Sequence, residues 1–367
     1  MIGAGAIGLA IGWRLAQAGC AVDLYDRAQA GRGASWASAG MLAAGIEAEP
    51  GEEKLYRLNH HSQSLWPSFA AELEEAGGTN VGLRQEGTIW AALTRDDVAQ
   101  LRFHQEFQAA LGVRLEWLNG AQVREHEPHL HRNVSAALFS PDDHQVDNRR
   151  LVQALTAAVH RAGGSIHEEA PVTEILVRKG RAIGVRAGSQ AVEADFVVVA
   201  AGAWSSGLRG LPPSARPPVR PIKGQMLAVG MDPAAPLLRH VVWAERAYLV
   251  PRLDGRLIVG ATTEERGFDS RLTAGGMLSL LDAAWRVLPA IEDLEIIEAW
   301  TGFRPGSRDD APILGGCEVE GLILATGHHR NGILLTPVTA EAISRLILTG
   351  EMPPEIQEFS LARFEAV

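Results

Sequence analysis

The chain opens Met1-Ile2-Gly3-Ala4-Gly5-Ala6-Ile7-Gly8, and this glycine spacing narrows the possible folds more than any other feature. Gly3 permits a tight turn, Gly5 lets backbone approach a pyrophosphate, and Gly8 lets the following helix pack on its strand. The helix N-terminus then faces the phosphates. Leu9, Ile11 and Leu15 supply an apolar stripe, and residues 21–26 alternate as a second strand ending at Asp26. A carboxylate about 20 residues beyond the turn can hold ribose hydroxyls. Only Met1 and Ile2 precede Gly3, whereas a central strand needs ~5 residues. The expectation is a natural start a few codons upstream; the alternative is a weakened nucleotide turn.

The turn itself does not choose between nicotinamide and flavin dinucleotides. Gly33-Ala34-Ser35-Trp36-Ala37-Ser38-Ala39-Gly40-Met41 does more. It is too rich in small residues to pack a core and suits a loop whose backbone approaches a bulky cofactor. A nicotinamide domain would continue here as a regular helix.

With 367 residues the chain exceeds the usual single core, so two domains are expected. Helical patterns occupy 95–111, 120–126, 150–162 and 337–348, a polar helix with Leu65, Trp66 and Phe69 follows 31–51, and a hairpin turns at Lys179-Gly180. Residues 196–202 and 322–325 read as strands buried on both faces, hence parallel. Between them, 222–263 alternates like antiparallel strands, and prolines at 212–221 mark a crossing. The fold class is therefore α/β: a Rossmann-like nucleotide domain interrupted by an antiparallel substrate domain. The expected division is 1–80, 141–215 and 299–367 for the first, 81–140 and 216–298 for the second.

Several segments together carry a family resemblance. Beside 3–8 and 33–41 they are Gln145-Val146-Asp147, Val198-Val199-Ala200-Ala201-Gly202-Ala203-Trp204, Lys223-Gly224-Gln225, Tyr248-Leu249-Val250-Pro251-Arg252, Gly260-Ala261-Thr262, Gly302-Phe303-Arg304-Pro305 and Thr326-Gly327-His328-His329-Arg330-Asn331-Gly332-Ile333-Leu334-Leu335. The chain resembles the FAD-dependent D-amino-acid-oxidase superfamily over nearly its whole length, and within it the glycine oxidases of thiamine biosynthesis. The resemblance implies FAD contacts at Gly3, Gly5, Ala6, Ile7, Gly8, Asp26, Arg27, Ala34, Ser35, Ala39, Gly40 and Met41. It implies others at Val172, Gly202, His328, His329, Arg330, Asn331, Gly332, Ile333 and Leu334. Arg304 matches the carboxylate-binding arginine, Arg330 a second substrate arginine and Tyr248 an active-site tyrosine. Met41 and Thr263 would line the substrate pocket, Thr263 standing where the family places a bulkier methionine. A homotetramer is also implied.

The implied reaction moves a hydride from the substrate α-carbon to the flavin, giving an imine, then a 2-oxo acid, ammonia and hydrogen peroxide. The flavin carries the hard chemistry, and the protein aligns and tunes it. Arg304 between Phe303 and Pro305 suits a bidentate carboxylate contact; a structural pairing with Asp309 or Asp310 is its competing reading. Tyr248 could equally be a core tyrosine, and Gly332 a plain turn glycine. The segment 328–334 precedes a helix whose N-terminus could stabilise charge on a reduced ring. Sarcosine-oxidase relatives tether flavin through a cysteine near the position of Phe303–Arg304; this chain has none there, so FAD is expected to be non-covalent. His126, His129 and His131 sit among Glu125, Glu127 and Pro128 and read as a polar loop, so no metal is expected.

Charge and cysteine usage set the remaining expectations. Lys and Arg number 34 against 44 Asp and Glu, a net charge of −10 with no basic block. Nucleic acid and an anionic membrane surface are therefore poor partners. Cys20 and Cys317 fit a reducing cytoplasm. The apolar run 1–13 lacks the basic flank of a signal peptide. The expected partners are a small amine or amino acid and O2. A D-amino-acid dehydrogenase passing electrons to a quinone or carrier is the alternative. A tRNA-modifying flavoprotein and a nicotinamide dehydrogenase are weaker ones.

Overall fold

A computed structural model describes residues 1–364 of the chain; the last three residues of the expected 299–367 stretch lie outside it. The stretches expected as parallel strands come together in one sheet. Asp23–Tyr25 runs parallel to Ser165–His167, and Val197–Val199 parallel to Leu322–Thr326, whose other edge takes Ile313–Gly316 antiparallel. Ile2 joins the halves through parallel bridges to both Tyr25 and Val199. Its amide donates to the Val198 carbonyl at 2.8 Å, and the Ile2 carbonyl accepts from Ala200 at 2.8 Å. Met1 and Gly3 bond the Tyr25 backbone on the other side.

Two sequence expectations are trimmed. The strand 21–26 is regular only over Asp23–Tyr25. In 196–202 the buried run is Val197–Ala200; Phe196 faces outward, and Gly202 opens a 3-10 turn, Gly202–Gly207. Helices Ala6–Gln17, Asn148–Arg161 and Thr336–Thr349 pack against one another and the sheet, with Leu9, Ile11, Trp13, Leu155 and Ile343 in their common core. The long helix Glu53–Gly77 adds Trp66 and Phe69 to it.

The second sheet has eight strands, in the order Ile296–Gly306, Arg220–Gly230, Arg256–Gly260, Ala247–Pro251, Val241–Ala244, Thr88–Ala92, Ala136–Ser140 and Glu116–Asn119. Neighbours are antiparallel except Val241–Ala244 with Thr88–Ala92, which run parallel. Strand Ile296–Gly306 runs unbroken through 298 and 299, where the sequence reading divides the domains.

Strand alternation gives this sheet two faces with different tasks. Leu227, Val242, Leu249 and Val259 pack toward Leu280, Ala284 and Val287 of helix Ala274–Val287. Met226, Ala228, Val250, Ile258 and Trp300 instead cluster with Ala37 and Ala39 of the small-residue loop. The loop is thus held between the two sheets, and the principal cavity forms where they meet.

Candidate active site

The cavity measures about 1310 Å³ and is lined by 3, 5–7, 25–28, 31–35, 37–41, 171–173, 200–204, 328–330 and 332–333, with parts of the eight-stranded sheet. At its nucleotide end Gly3 has φ +98°, and a Cβ there would lie 2.4 Å from the Ala200 carbonyl oxygen. A Cβ on Gly8 would lie 2.0 Å from the Gly3 oxygen, so helix Ala6–Gln17 sits directly on its strand. Its first backbone bond is Leu9 to Gly5, so the amides before Leu9 have no helical partner. Ser35 Oγ accepts one, from Ala6, at 2.9 Å. Asp26 caps the strand end, its two oxygens accepting from Ala4 at 2.8 Å and Ala28 at 3.0 Å.

The far end offers similar backbone donors. Asn331 donates to His328 and Leu335 to Asn331, but among the described residues Gly332 and Ile333 have no bonded amide partner. Both line the cavity just ahead of helix Thr336–Thr349. The neighbouring histidines add no charge at neutral pH. Burial pulls His328 down to about 3, its Nε2 lying 3.1 Å from Thr339 Oγ1. Burial likewise pulls His329 down to about 4, despite Asp310 at 3.5 Å. Orphan amides at two helix starts and an acidic strand end between glycine walls fit a long dinucleotide with a ring at its far end.

The loop between these ends is fastened by Arg252, which the sequence reading leaves without a role. Its guanidinium is buried and donates to Ala39 O at 2.6 Å, Val146 O at 2.9 Å, Gln145 Oε1 at 2.8 Å and Asn148 Oδ1 at 3.1 Å. Burial lowers its pKa to about 10. Gly40 (φ +67°) lies against it, where a Cβ would come 2.0 Å from the Val146 oxygen.

The sheet supplies the reacting end. Arg304 and Tyr248 stand on strands Ile296–Gly306 and Ala247–Pro251, and their side chains converge, the guanidinium lying close enough to act on the phenol. Glycines make the room: a Cβ on Gly224 would lie 2.6 Å from Arg304 Nη1, and one on Gly260 2.5 Å from the Tyr248 ring. Arg304 Nη1 donates to the Thr262 carbonyl at 3.1 Å, and no carboxylate pairs with it among the described residues. Asp309 pairs with Arg363 and Asp310 faces His329, so the structural pairing weighed for Arg304 does not form. Burial pushes the Tyr248 phenol up. Met41 lines the same end, its sulfur accepting from Trp243 Nε1 at 3.3 Å, and Thr263 stands exposed at the rim.

Arg330, expected as a second substrate arginine, is engaged within the protein. It already holds two carboxylates, Glu52 Oε2 at 2.8 Å and Glu47 Oε2 at 3.1 Å. Glu47 lines the cavity and is buried, which pushes its pKa up to about 7. Sequence reasoning missed it, although a lone acid in the small apolar run 42–48 is a visible signal.

Most other expected residues line the cavity: Gly3, Gly5, Ala6, Ile7, Asp26, Arg27, Ala34, Ser35, Ala39, Gly40, Val172, Gly202, His328 and His329. Gly8, Asn331 and Leu334 do not. Gly8 is filled by backbone, Asn331 is buried in its turn, and Leu334 packs in the nucleotide-domain core while its carbonyl accepts from Ser62 and Trp66. Cys20 and Cys317 pack against cores away from the cavity. His131 Nδ1 accepts from Asn133, and no metal-ligating cluster forms among the described residues.

Comparison with known proteins agrees with this geometry. Residues 1–346 match the family model of the FAD dependent oxidoreductases (DAO). A glycine oxidase of Geobacillus kaustophilus is 36% identical over 367 residues, covering 99% of this chain and 96% of that one. The bifunctional protein ThiO/ThiG of Trichormus variabilis is 35% identical over 376 residues; this chain is matched in full but spans 55% of that protein. The crystal structure of the G. kaustophilus glycine oxidase superposes with a TM-score of 0.91, at 35% identity, over 99% of this chain and 97% of that one. A cradle shaped for a long dinucleotide and a family match over nearly the whole length lead to one conclusion: the chain belongs to the DAO family of FAD-dependent oxidoreductases, and FAD is its cofactor.

Proposed function

We propose that this protein oxidises glycine or a similarly small amine or D-amino acid to the imine, which hydrolyses to a 2-oxo acid and ammonia. The observation that carries the reading is Arg304, a cavity-lining guanidinium whose bonded partner is a backbone carbonyl and which faces Tyr248. Bound FAD supplies acceptance of the hydride and delivery of the electrons to O2, giving hydrogen peroxide. Arg304 fixes the substrate carboxylate by a charge-assisted contact, which sets orientation as well as affinity. Tyr248 covers the substrate and can donate its phenolic proton to the same carboxylate. Thr263 and Met41 bound the space left for the side chain. The orphan amides of Gly332 and Ile333 offer donors to the far end of the cofactor.

The similarity to glycine oxidases and to the bifunctional ThiO/ThiG supports a place in thiamine thiazole biosynthesis. In this reading the enzyme is a cytoplasmic homotetramer. No helix among the described residues is long and apolar enough to cross a membrane. The FAD is held without a covalent bond, since neither cysteine reaches the cavity. Acid precipitation should therefore release all the flavin, and colour kept by the washed pellet would contradict this.

Anaerobic mixing with glycine, sarcosine and D-alanine tests the activity. Bleaching of the flavin by one of them, followed by peroxide when oxygen is admitted, is the expected result. Bleaching without peroxide would point to a dehydrogenase that uses another acceptor. No bleaching by any of the three would refute the reading.

A further inference from the structure

An amino acid in neutral water carries an ammonium group, and an ammonium cannot lose hydride from its neighbouring carbon. The nitrogen lone pair must be free to stabilise the cation that forms. A site for this chemistry therefore needs somewhere to send one proton. The cavity wall contains three carboxylates: Asp26, Glu47 and Glu245. Asp26 stands at the nucleotide end with both oxygens bonded to backbone amides. Glu245 is exposed and pairs with Arg246 at 3.7 Å. Only Glu47 is buried beside Arg304 and Tyr248.

Its surroundings leave it able to accept a proton. Glu47 Oε2 lies 3.1 Å from Arg330 Nε, but the two are not aligned as a hydrogen bond, and Oε2 has no hydrogen-bond partner. The groups that act on it are Arg330, Asp143, Arg304 and Glu52, with Tyr248 close enough to feel its charge. Arg330 in turn is held by Glu52 and by the Glu47 carbonyl, which fixes the segment on which the side chain stands.

We propose that Glu47 is the proton acceptor for the substrate ammonium, on the same cavity wall as the Arg304 carboxylate anchor. The step rests on the amine-oxidation reading above. An N–H bond of the ammonium breaks, its electron pair stays on nitrogen, and the proton joins a Glu47 carboxylate oxygen. Ammonium plus carboxylate become neutral amine plus carboxylic acid, with no change of oxidation state. A carboxyl pushed up to about 7 is matched to this task near neutral pH, whereas an exposed glutamate would be too weak a base. His329, pulled down to about 4 by burial, is a poorer acceptor.

The test compares the holoenzyme with Glu47→Gln and Glu47→Asp by anaerobic stopped-flow reduction across pH, using the amine that reduces the wild type. In Glu47→Gln the second-order reduction rate should fall by roughly 100-fold at about pH 7, within the usual range for losing a positioned base. It should climb as the free amine grows and approach wild type at about pH 10. Glu47→Asp should recover part of the loss at neutral pH. Acetate has a carboxylate but no ammonium, so its binding, followed by the flavin absorbance shift, should not weaken in Glu47→Gln. A Glu47→Gln profile parallel to wild type, or a uniform loss at every pH with weakened acetate binding, overturns the proposal while leaving the amine-oxidase reading intact. A wild type reduced by no small amine overturns both.

Discussion

The two ends of the cavity recognise their ligands by opposite means. The nucleotide end is built largely from backbone: Gly3, Gly5, the amides ahead of Leu9, and a loop rich in Ala, Ser and Gly, with Asp26 as its carboxylate. The reacting end is built from side chains, Met41 and Glu47 from one stretch of chain and Tyr248 and Arg304 from another, distant one. Backbone recognition needs particular residues at fixed local spacings, because only glycine tolerates the approach. Side-chain recognition needs strand register, which can be satisfied by many local sequences. The nucleotide end can therefore be read from eight residues, while the reacting end becomes readable only when the strands are paired.

Arg252 fastens the loop between the two ends, so its removal should most thoroughly break the distinction. In Arg252→Met the oxygens of Ala39, Val146, Gln145 and Asn148 lose their donor. Each buried acceptor left unsatisfied costs roughly 1–3 kcal/mol. Melting temperature, flavin content and substrate affinity should fall together. Normal flavin content with only weakened substrate binding would show that the two ends are fastened separately.

Arg304→Leu should separate the ends cleanly. Losing a charge-assisted contact to a buried carboxylate costs ~2–5 kcal/mol. Apparent affinity for glycine should collapse while flavin content and melting temperature stay near wild type. A variant with unaltered glycine turnover would remove Arg304 from the reacting end.

The smallest effect is expected at Thr263, exposed at the rim. Thr263→Met should cost D-alanine on the order of 1–3 kcal/mol in kcat/KM relative to glycine, the range for a methylene-sized difference in a pocket. Equal losses for both substrates would place the residue outside the pocket.

Much of the architecture is legible in the chain itself. The strand at 322–325, the hairpin at Lys179-Gly180 and the helices near 95–111, 120–126 and 150–162 follow from local patterns that the packing respects. Arg304 is legible because its flanking Phe303 and Pro305 argue against a solvated arginine. The outward turn of Phe196 is not, since a residue opening a buried strand looks the same whichever side of its end the packing begins. The roles of Arg252 and Glu47 are illegible for a related reason, although Glu47 stands out as a lone acid in an apolar run. Each takes its meaning from partners more than 100 or 200 residues away, Val146 and Ala39 for the first and Arg330 for the second. Arg330 shows the converse: its motif is conspicuous, yet the acids that occupy it appear only after folding.

The four acceptors around Arg252 have one further property in common. Two are peptide carbonyls and two are side-chain amides, and none of them titrates. Its pKa, lowered only to about 10, keeps the guanidinium charged throughout the neutral and acid range. The clasp that shapes the cofactor loop is thus indifferent to acidity, although Glu47 on the same cavity wall changes charge near neutrality. In the proposal above, acidity acts on Glu47 while the Arg252 clasp keeps its charge. Under the proposal that Glu47 takes the substrate proton, a pH–rate curve for this protein records that step against an Arg252 clasp whose charge stays fixed.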